Sequence, residues 1–183
     1  RGQADSAAPE GVENYRLSDF VGDLIEVARS MGAQERPVHL LGHSFGGVIA
    51  RQAAVKAPEL FRSLILFSTG PRPPEGMRWT PLRQRLLSST TGKRLSAWYI
   101  SQFLSEDPRE ELIAHRSMVT SEDSLMGAAI ILARYPDVSV PLRQSGIPVL
   151  IAHGVGDSVW PERMHRQEAL VLGARYETIP DAK

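Results

Sequence analysis

The strongest constraint on the fold is the junction between a short apolar run and a run of helix-favouring residues. Residues 37–41 (Pro-Val-His-Leu-Leu) have the length and character of a buried strand. Residues 45–57 are mostly small and favour a helix, which Pro58 ends. The pentapeptide 42–46 (Gly-His-Ser-Phe-Gly) marks the change from one to the other. A strand, a sharp turn and a helix in this order predict the start of a βαβ unit.

Three later segments predict further strands. Residues 64–67 and 147–152 are short continuous apolar runs, and residues 175–179 form a last strand-like segment. Continuous apolar strands separated by helices are typical of a parallel sheet that is covered on its faces. The predicted fold class is therefore α/β, a parallel sheet flanked by helices.

Helical periodicity fills the remaining segments. Residues 17–31 predict an amphipathic helix, whose expected buried stripe is Phe20, Leu24, Val27, Ala28 and Met31. Another helix is predicted to begin at Pro161 and to end at Gly173. Residues 71–140 show only helical periodicity and predict an all-helical insertion. The core would then comprise residues 1–70 and 141–183.

Composition excludes several classes of function. The 183 residues contain 21 Lys and Arg, 21 Asp and Glu, and no Cys. A net charge of zero argues against binding of nucleic acid or an anionic membrane, and the absence of cysteine excludes thiol catalysis and zinc–thiolate sites. No segment predicts a signal peptide or a membrane span, which favours a cytoplasmic protein. We expect no cofactor, no metal and a small-molecule substrate, while the oligomeric state stays open.

Ser44 is the predicted nucleophile. A serine hydroxyl attacks a carbonyl when it stands exposed, beside a base and beside donors for the developing oxyanion. A sharp strand–turn–helix presents it in this way, and such a turn is expected to exclude bulky side chains at Gly42 and Gly46. The backbone N–H of Phe45, at the positive end of the new helix, can point at an oxyanion. An ordinary glycine-rich turn is the alternative.

Asp157 is the predicted acid. It lies in the segment 153–161, which directly follows the strand at 147–152, and the ends of parallel strands meet at the edge where such folds build their sites. Its carboxylate could hold the Nδ1–H of a histidine and stabilise the imidazolium. A turn aspartate, or an N-cap for the helix that begins at Pro161, is the alternative.

These motifs resemble those of the α/β-hydrolase family. The pentapeptide 42–46 matches the family's nucleophile elbow, and residues 153–161 match its His-Gly-x-x-Asp-x-x-x-Pro pattern. Residues 1–6 are similar to the family's Arg-Gly-x-Gly-x-Ser loop, with Ala4 in place of the second glycine. The resemblance implies that Ser44 is the nucleophile, with Gly42, His43 and Gly46 shaping the elbow, and that 71–140 is a helical cap. A serine at the elbow argues against the dehalogenase and epoxide-hydrolase branches, which use aspartate.

One part of the family pattern is missing. The family's catalytic histidine follows the last strand, and here only residues 180–183 follow it. We expect a core or surface role for each of the five histidines, at 39, 43, 115, 153 and 165. The chain is therefore expected to be an incomplete portion of a larger hydrolase, inactive alone, with the histidine and a second oxyanion donor outside it.

The expected reaction of the intact protein is acyl transfer from an ester-like, amide-like or otherwise activated carbonyl through an acyl-enzyme. Related outcomes stay open, in which a C–C bond is cleaved, peroxide replaces water or an alcohol accepts the acyl group. A binding protein that keeps the fold without turnover is a further alternative. The substrate itself cannot be read from the sequence.

Overall fold

A computed structural model describes residues 1–73, 119–157 and 159–182. Most of the predicted helical cap, residues 74–118, lies outside the described residues. The chain divides into two compact units, one formed by Arg1–Arg16 and Arg78–Ala133 and the other by Leu17–Met77 and Arg134–Lys183. The assignment of 71–140 as a cap on a core of 1–70 and 141–183 stays a prediction.

The second unit is built on a four-stranded parallel sheet. The α-helices and strands of the described residues are α1 Leu17–Ser30, β1 Val38–His43, α2 Phe45–Lys56, β2 Phe61–Phe67, α3 Glu122–Leu132, α4 Ser139–Gln144, β3 Val149–Gly154, α5 Glu162–Leu172 and β4 Arg175–Ile179. The strands lie in the spatial order β1-β2-β3-β4, which is also their order in the sequence. The predicted fold class, a parallel sheet flanked by helices, is confirmed.

Small residues bring helix α2 close to the sheet. Ala50, Ala53 and Ala54 have no exposed surface, and they belong to one hydrophobic core with the buried strand residues Leu64 and Leu66. Alanine adds little bulk, so the helix backbone can approach the strands closely. The first turn of α2, which directly follows β1, is thereby fixed against the sheet.

Helix α1 lies where the periodicity predicts it, but the predicted buried stripe was partly wrong. Phe20 and Ala28 are buried as expected, whereas Val27 is 58% and Met31 is 69% exposed. Val21 and Ile25 are buried instead. The helix carries two overlapping apolar arcs, and its packing against α2 selects the arc centred on Val21 and Ile25.

The first unit joins the N-terminal segment to helix α3. Tyr15 is buried, and a Cβ at Gly127 of α3 would lie 2.5 Å from the Cβ of Tyr15. The Ser121 backbone N–H donates to the carbonyl of Gly2, and the Ser121 side chain caps α3 by accepting from the N–H of Ser124. The glycine therefore allows close packing that a larger residue would prevent.

No helix among the described residues is both long enough and apolar enough to cross a lipid bilayer.

Candidate active site

Ser44 lies between the end of β1 and the start of α2. Its backbone angles, φ 52° and ψ −121°, place a non-glycine residue in a conformation that side chains rarely adopt. Such a conformation costs about 1–3 kcal/mol and persists only where the surrounding structure imposes it. Ser44 occupies the N-cap position of α2, yet its side chain makes no capping hydrogen bond. Ser44 is half-buried, and helix capping does not occupy its hydroxyl, which therefore remains available for other chemistry.

Two glycines make this turn possible, and they are not the pair that the sequence indicated. A Cβ at Gly42 would lie 2.6 Å from the Cα of Gly47 and 2.7 Å from the carbonyl oxygen of Gly46. A Cβ at Gly47 would collide with the side chain of Thr69. A Cβ at Gly46 would meet no heavy atom of the described residues within 4 Å. No contact among the described residues therefore requires glycine at Gly46, whereas the contact with Thr69 requires it at Gly47.

Phe45 begins helix α2, so its backbone N–H has no acceptor within the helix. The positive end of the helix dipole lies at the same point. The Phe45 ring packs edge-on against the buried Phe20 of α1, with 5.4 Å between ring centroids. This contact fixes the first turn of α2. His43, which precedes the serine, is exposed and lies beside the ring of Phe67.

The ends of three strands bring Ser44 and Asp157 to one edge of the sheet. The N–H of Ser44 donates to the carbonyl of Phe67 at the end of β2, and the N–H of Ser68 donates to the carbonyl of Ala152 in β3. Ser68 also has a positive φ, of 44° compared with 52° at Ser44. Asp157 follows β3 in a turn closed by its N–H and the carbonyl of Gly154. The serine and the aspartate thus share the carboxyl-terminal edge, two strands apart.

The two carboxylate oxygens of Asp157 have different surroundings. Oδ1 accepts hydrogen bonds from the backbone N–H groups of Val159 at 2.9 Å and Trp160 at 3.1 Å. This oxygen forms the aspartate turn that was the alternative reading of the sequence, whereas Pro161 takes the N-cap of α5. Oδ2 is buried and has no hydrogen-bond partner in the described part of the chain. Oδ1 therefore fixes the loop, and Oδ2 can still accept a hydrogen bond.

Two buried histidines lie beside this carboxylate. The rings of His153 and His165 stack with 4.3 Å between centroids, and Nε2 of His165 is 3.7 Å from Oδ2 of Asp157. Burial, together with the nearby His153, lowers the pKa of His165 to about 4. His165 is therefore neutral at pH 7. The sequence predicted a core or surface role for both residues, and no local pattern indicates that α5 brings His165 to Asp157.

The other histidines lie elsewhere. His39 is exposed on β1 and its Nδ1 is 2.6 Å from the hydroxyl of Ser63. His115 lies outside the described residues.

The cluster of His153, Asp157 and His165 does not suit a metal ion. One possible ligand atom from each lies within 4.8 Å of the other two. Both nitrogens of His153 are already engaged, however, Nδ1 with the carbonyl of Gly154 and Nε2 with the hydroxyl of Tyr176. The two imidazoles are nearly parallel, at 14°, so their in-plane lone pairs cannot converge on one ion.

A buried ion pair braces the helices behind the site. The Nε and Nη2 atoms of Arg51 in α2 donate to the two carboxylate oxygens of Glu168 in α5, each at 2.9 Å. Arg51 also donates to the hydroxyl and the carbonyl of Thr69, each at 3.0 Å. The helix that follows the serine, the helix that follows the aspartate and the segment after β2 are therefore held together. No local pattern in the sequence indicates this pair.

Comparison with known proteins gives consistent relatives. Residues 1–179 match the family model described as "Serine aminopeptidase, S33". The chain is 26% identical over 164 residues to 3-oxoadipate enol-lactonase 2 of Acinetobacter baylyi, and the alignment covers 87% of the chain and 60% of that protein. It is 30% identical over 118 residues to Epoxide hydrolase 1 of Caenorhabditis elegans, and the alignment covers 64% of the chain and 27% of that protein.

A solved structure extends the comparison to the fold. The enol-lactonase from Burkholderia xenovorans LB400 superimposes with a TM-score of 0.80 at 20% identity, covering 100% of the chain and 70% of that protein. The chain thus spans 60% of the length of the Acinetobacter relative and 70% of this structure.

Proposed function

Because this chain belongs to the serine aminopeptidase family of α/β-hydrolases, we propose that the intact protein is a serine hydrolase. It cleaves an ester-like or otherwise activated carbonyl substrate, a small molecule, through an acyl-enzyme. Ser44 is the nucleophile, Phe45 supplies one oxyanion donor, and Asp157 orients a histidine that lies outside this chain. No metal or cofactor takes part in the steps proposed.

The backbone of Ser44 is the single observation that carries the proposal. A left-handed non-glycine residue at a strand–helix junction is costly, and its hydroxyl is not used to cap the helix. A structural turn would place glycine at this position at no steric cost. A serine held in strain, half-buried and without a capping hydrogen bond, matches the requirements of a nucleophile elbow.

The chemistry follows from the neighbouring groups. The oxygen of Ser44 forms a bond to the carbonyl carbon while the histidine takes its proton. The Phe45 N–H and one donor outside the described residues bind the oxyanion, since both the unpaired N–H and the helix dipole favour negative charge there. The tetrahedral intermediate collapses, and the leaving alcohol takes the proton from the histidine. The same histidine then takes a proton from water as the water oxygen bonds to the acyl carbon, and it returns that proton to the Ser44 oxygen when the acyl–serine bond breaks and the acid leaves.

Asp157 suits the acid role because its two oxygens are differentiated. The backbone bonds to Oδ1 fix the carboxylate on the loop, and no described residue forms a hydrogen bond with Oδ2. A carboxylate oxygen that is buried without a partner is costly, so a donor is required there. The Nδ1–H of the triad histidine is one such donor, and it would be stabilised as an imidazolium during turnover.

The relatives favour an ester-like substrate. The name of the Acinetobacter protein specifies an enol-lactone, which is a cyclic ester. The Caenorhabditis protein is named an epoxide hydrolase, but the serine at the elbow favours acyl transfer over the aspartate chemistry of that branch. Labelling and turnover separate attack by peroxide, transfer to an alcohol and binding without turnover, and cleavage of a C–C bond stays an alternative.

Labelling with a fluorophosphonate probe tests the nucleophile. We expect the intact protein to gain one covalent phosphonyl group at Ser44 and the Ser44→Ala variant to gain none. Ser68→Ala is the matched control, because Ser68 lies at the same edge and also has a positive φ. It should keep its labelling. Labelling that persists in Ser44→Ala would refute the assignment, and no labelling of the wild type would favour a binding protein.

Turnover of p-nitrophenyl acetate tests the reaction. Loss of the nucleophile should lower kcat by about 10⁴-fold or more. The assay is repeated with added alcohol or peroxide. If less acetate forms because the acyl group passes to the alcohol or to peroxide, the reaction is acyl transfer or perhydrolysis in place of hydrolysis.

A further inference from the structure

The environment of Asp157 Oδ2 contains one more group that the proposed mechanism does not use. His165 points its Nε2 at this oxygen from 3.7 Å, and its side chain is completely buried. Neither ring nitrogen of His165 has a hydrogen-bond partner in the parts of the chain that the structure describes. Buried polar atoms without partners are rare in folded proteins, and among the described residues two of them, Nε2 of His165 and Oδ2 of Asp157, lie near one another.

The surroundings of His165 hold its ring in place. The ring stacks on His153, which is itself fixed through Nδ1 to the Gly154 carbonyl and through Nε2 to the Tyr176 hydroxyl. On the same helix, Glu168 is tied to Arg51 by the buried ion pair. A ring without exposed surface cannot reach a substrate, so His165 is not itself the general base.

We propose that His165 is a positioning residue whose Nε2–H donates to Oδ2 of Asp157. This bond fixes the plane of the carboxylate and leaves the other lone pair of Oδ2 for the triad histidine. The inference rests on the proposed function, in which Asp157 is the acid of the triad.

Geometry and charge both favour this arrangement. The separation of 3.7 Å closes to a hydrogen bond with a shift of about 0.5–1 Å. A small rotation of the carboxylate can supply this shift while Oδ1 keeps its backbone donors. The lowered pKa keeps His165 neutral at pH 7, so the ring carries one proton. With that proton on Nδ1, the Nε2 lone pair would face the anionic oxygen, which the Coulomb energy disfavours.

Two substitutions of similar size separate positioning from packing. His165→Gln keeps an amide N–H near the position of Nε2, whereas His165→Leu fills the space without a donor. In turnover of p-nitrophenyl acetate by the intact protein, we expect His165→Leu to lower kcat by about 10- to 100-fold with KM changed by less than about twofold. His165→Gln should retain at least about a third of kcat. Urea unfolding of both variants measures the folded fraction.

A packing role predicts a different result, in which losses of activity follow the loss of folded protein and are similar in the two variants. A kcat of His165→Leu within about twofold of the wild type would overturn the proposal. An equal loss in the Gln and Leu variants would also overturn it.

Nuclear magnetic resonance tests the hydrogen bond without any turnover. In the ¹⁵N-labelled intact protein, the His165 signals are those that vanish in His165→Leu. We expect the proton on Nε2, shifted downfield and moving upfield in Asp157→Ala. A proton on Nδ1 at pH 7 would overturn the inference. If the wild type has no Ser44-dependent turnover, the proposed function fails, while this measurement still decides whether His165 binds Asp157.

Discussion

Substitution of Gly42 by alanine tests how tightly β1 and α2 enclose the serine. A Cβ at this position would lie 2.6 Å from Gly47 Cα, 2.7 Å from the Gly46 carbonyl oxygen and 2.8 Å from Ala50 Cβ. Ordinary contacts of this kind begin near 3.4 Å. Two of the three atoms belong to the backbone of α2, so they cannot move aside as a flexible side chain would. The first turn of the helix must therefore shift by a large fraction of an ångström.

The expected cost follows from this overlap. Overpacking in a well-packed core costs about 1–3 kcal/mol, and collision with backbone places Gly42→Ala at about 3 kcal/mol or above. For a protein of this size, 3 kcal/mol corresponds to a fall in Tm of about 6–12 °C. Displacement of Ser44 by about 1 Å should also slow fluorophosphonate labelling by about 100-fold.

Gly22→Ala is the matched control. Gly22 lies within helix α1, and a Cβ there meets no heavy atom within 4 Å in the described residues. Alanine is the better helix former, so the variant should gain up to about 1 kcal/mol and label at the wild-type rate. Urea unfolding and labelling kinetics measure both effects. A Gly42→Ala variant with wild-type stability and labelling would refute the tight-turn argument.

Three further predictions follow from buried polar groups, each measurable by urea unfolding. Glu168→Gln should lower the free energy of unfolding by about 3–5 kcal/mol, because it leaves the charge of Arg51 buried and unpaired. Replacing both residues by leucine should recover most of this loss, and an equal loss in the double variant would contradict the argument. His165 faces His153, Asp157 and Arg51, and its pKa falls to about 4 in the folded state. On acidification the histidine therefore takes up its proton at a higher pH in the unfolded chain than in the folded one, so the free energy of unfolding falls. The full free energy is expected above about pH 6.5, with a loss of about 2 kcal/mol between pH 7 and pH 5 that His165→Gln should lack. Tyr135→Phe removes the hydroxyl that donates to the carbonyls of Gly70 and Arg72, and it should lose about 1–2 kcal/mol; an unchanged midpoint would show that water replaces this donor.

The fold was largely predictable because its signals are local. Strand β4 occupies residues Arg175–Ile179 as predicted, and helix α2 begins at Phe45, directly after the serine. Apolar runs, helix-favouring residues and a final glycine act over a few neighbouring residues, so they can be read along the chain. Gly173 illustrates this, since its left-handed φ of 64° ends α5 where the sequence placed the end.

Predictions that depended on which partner a residue meets were less successful. Val27 and Met31 fit a helical stripe as well as Val21 and Ile25 do, and only the position of α2 decides between the two arcs. The steric need for glycine likewise passes from Gly46 to Gly47, because Thr69 comes from the segment after β2. Periodicity limits the possible faces of an element without selecting one of them.

The sequence alone therefore determined the strand–turn–helix that strains Ser44, the four strands of a parallel sheet and the loop that carries Asp157. Each of these depends on short-range backbone preferences and on hydrophobic periodicity. The tertiary structure decided what surrounds those groups: the pairing of Arg51 with Glu168, the stacking of His153 on His165 and the burial of Oδ2 of Asp157 beside His165. Such contacts join residues that are far apart in the chain, and their energies depend on burial and distance, which only the packed fold sets.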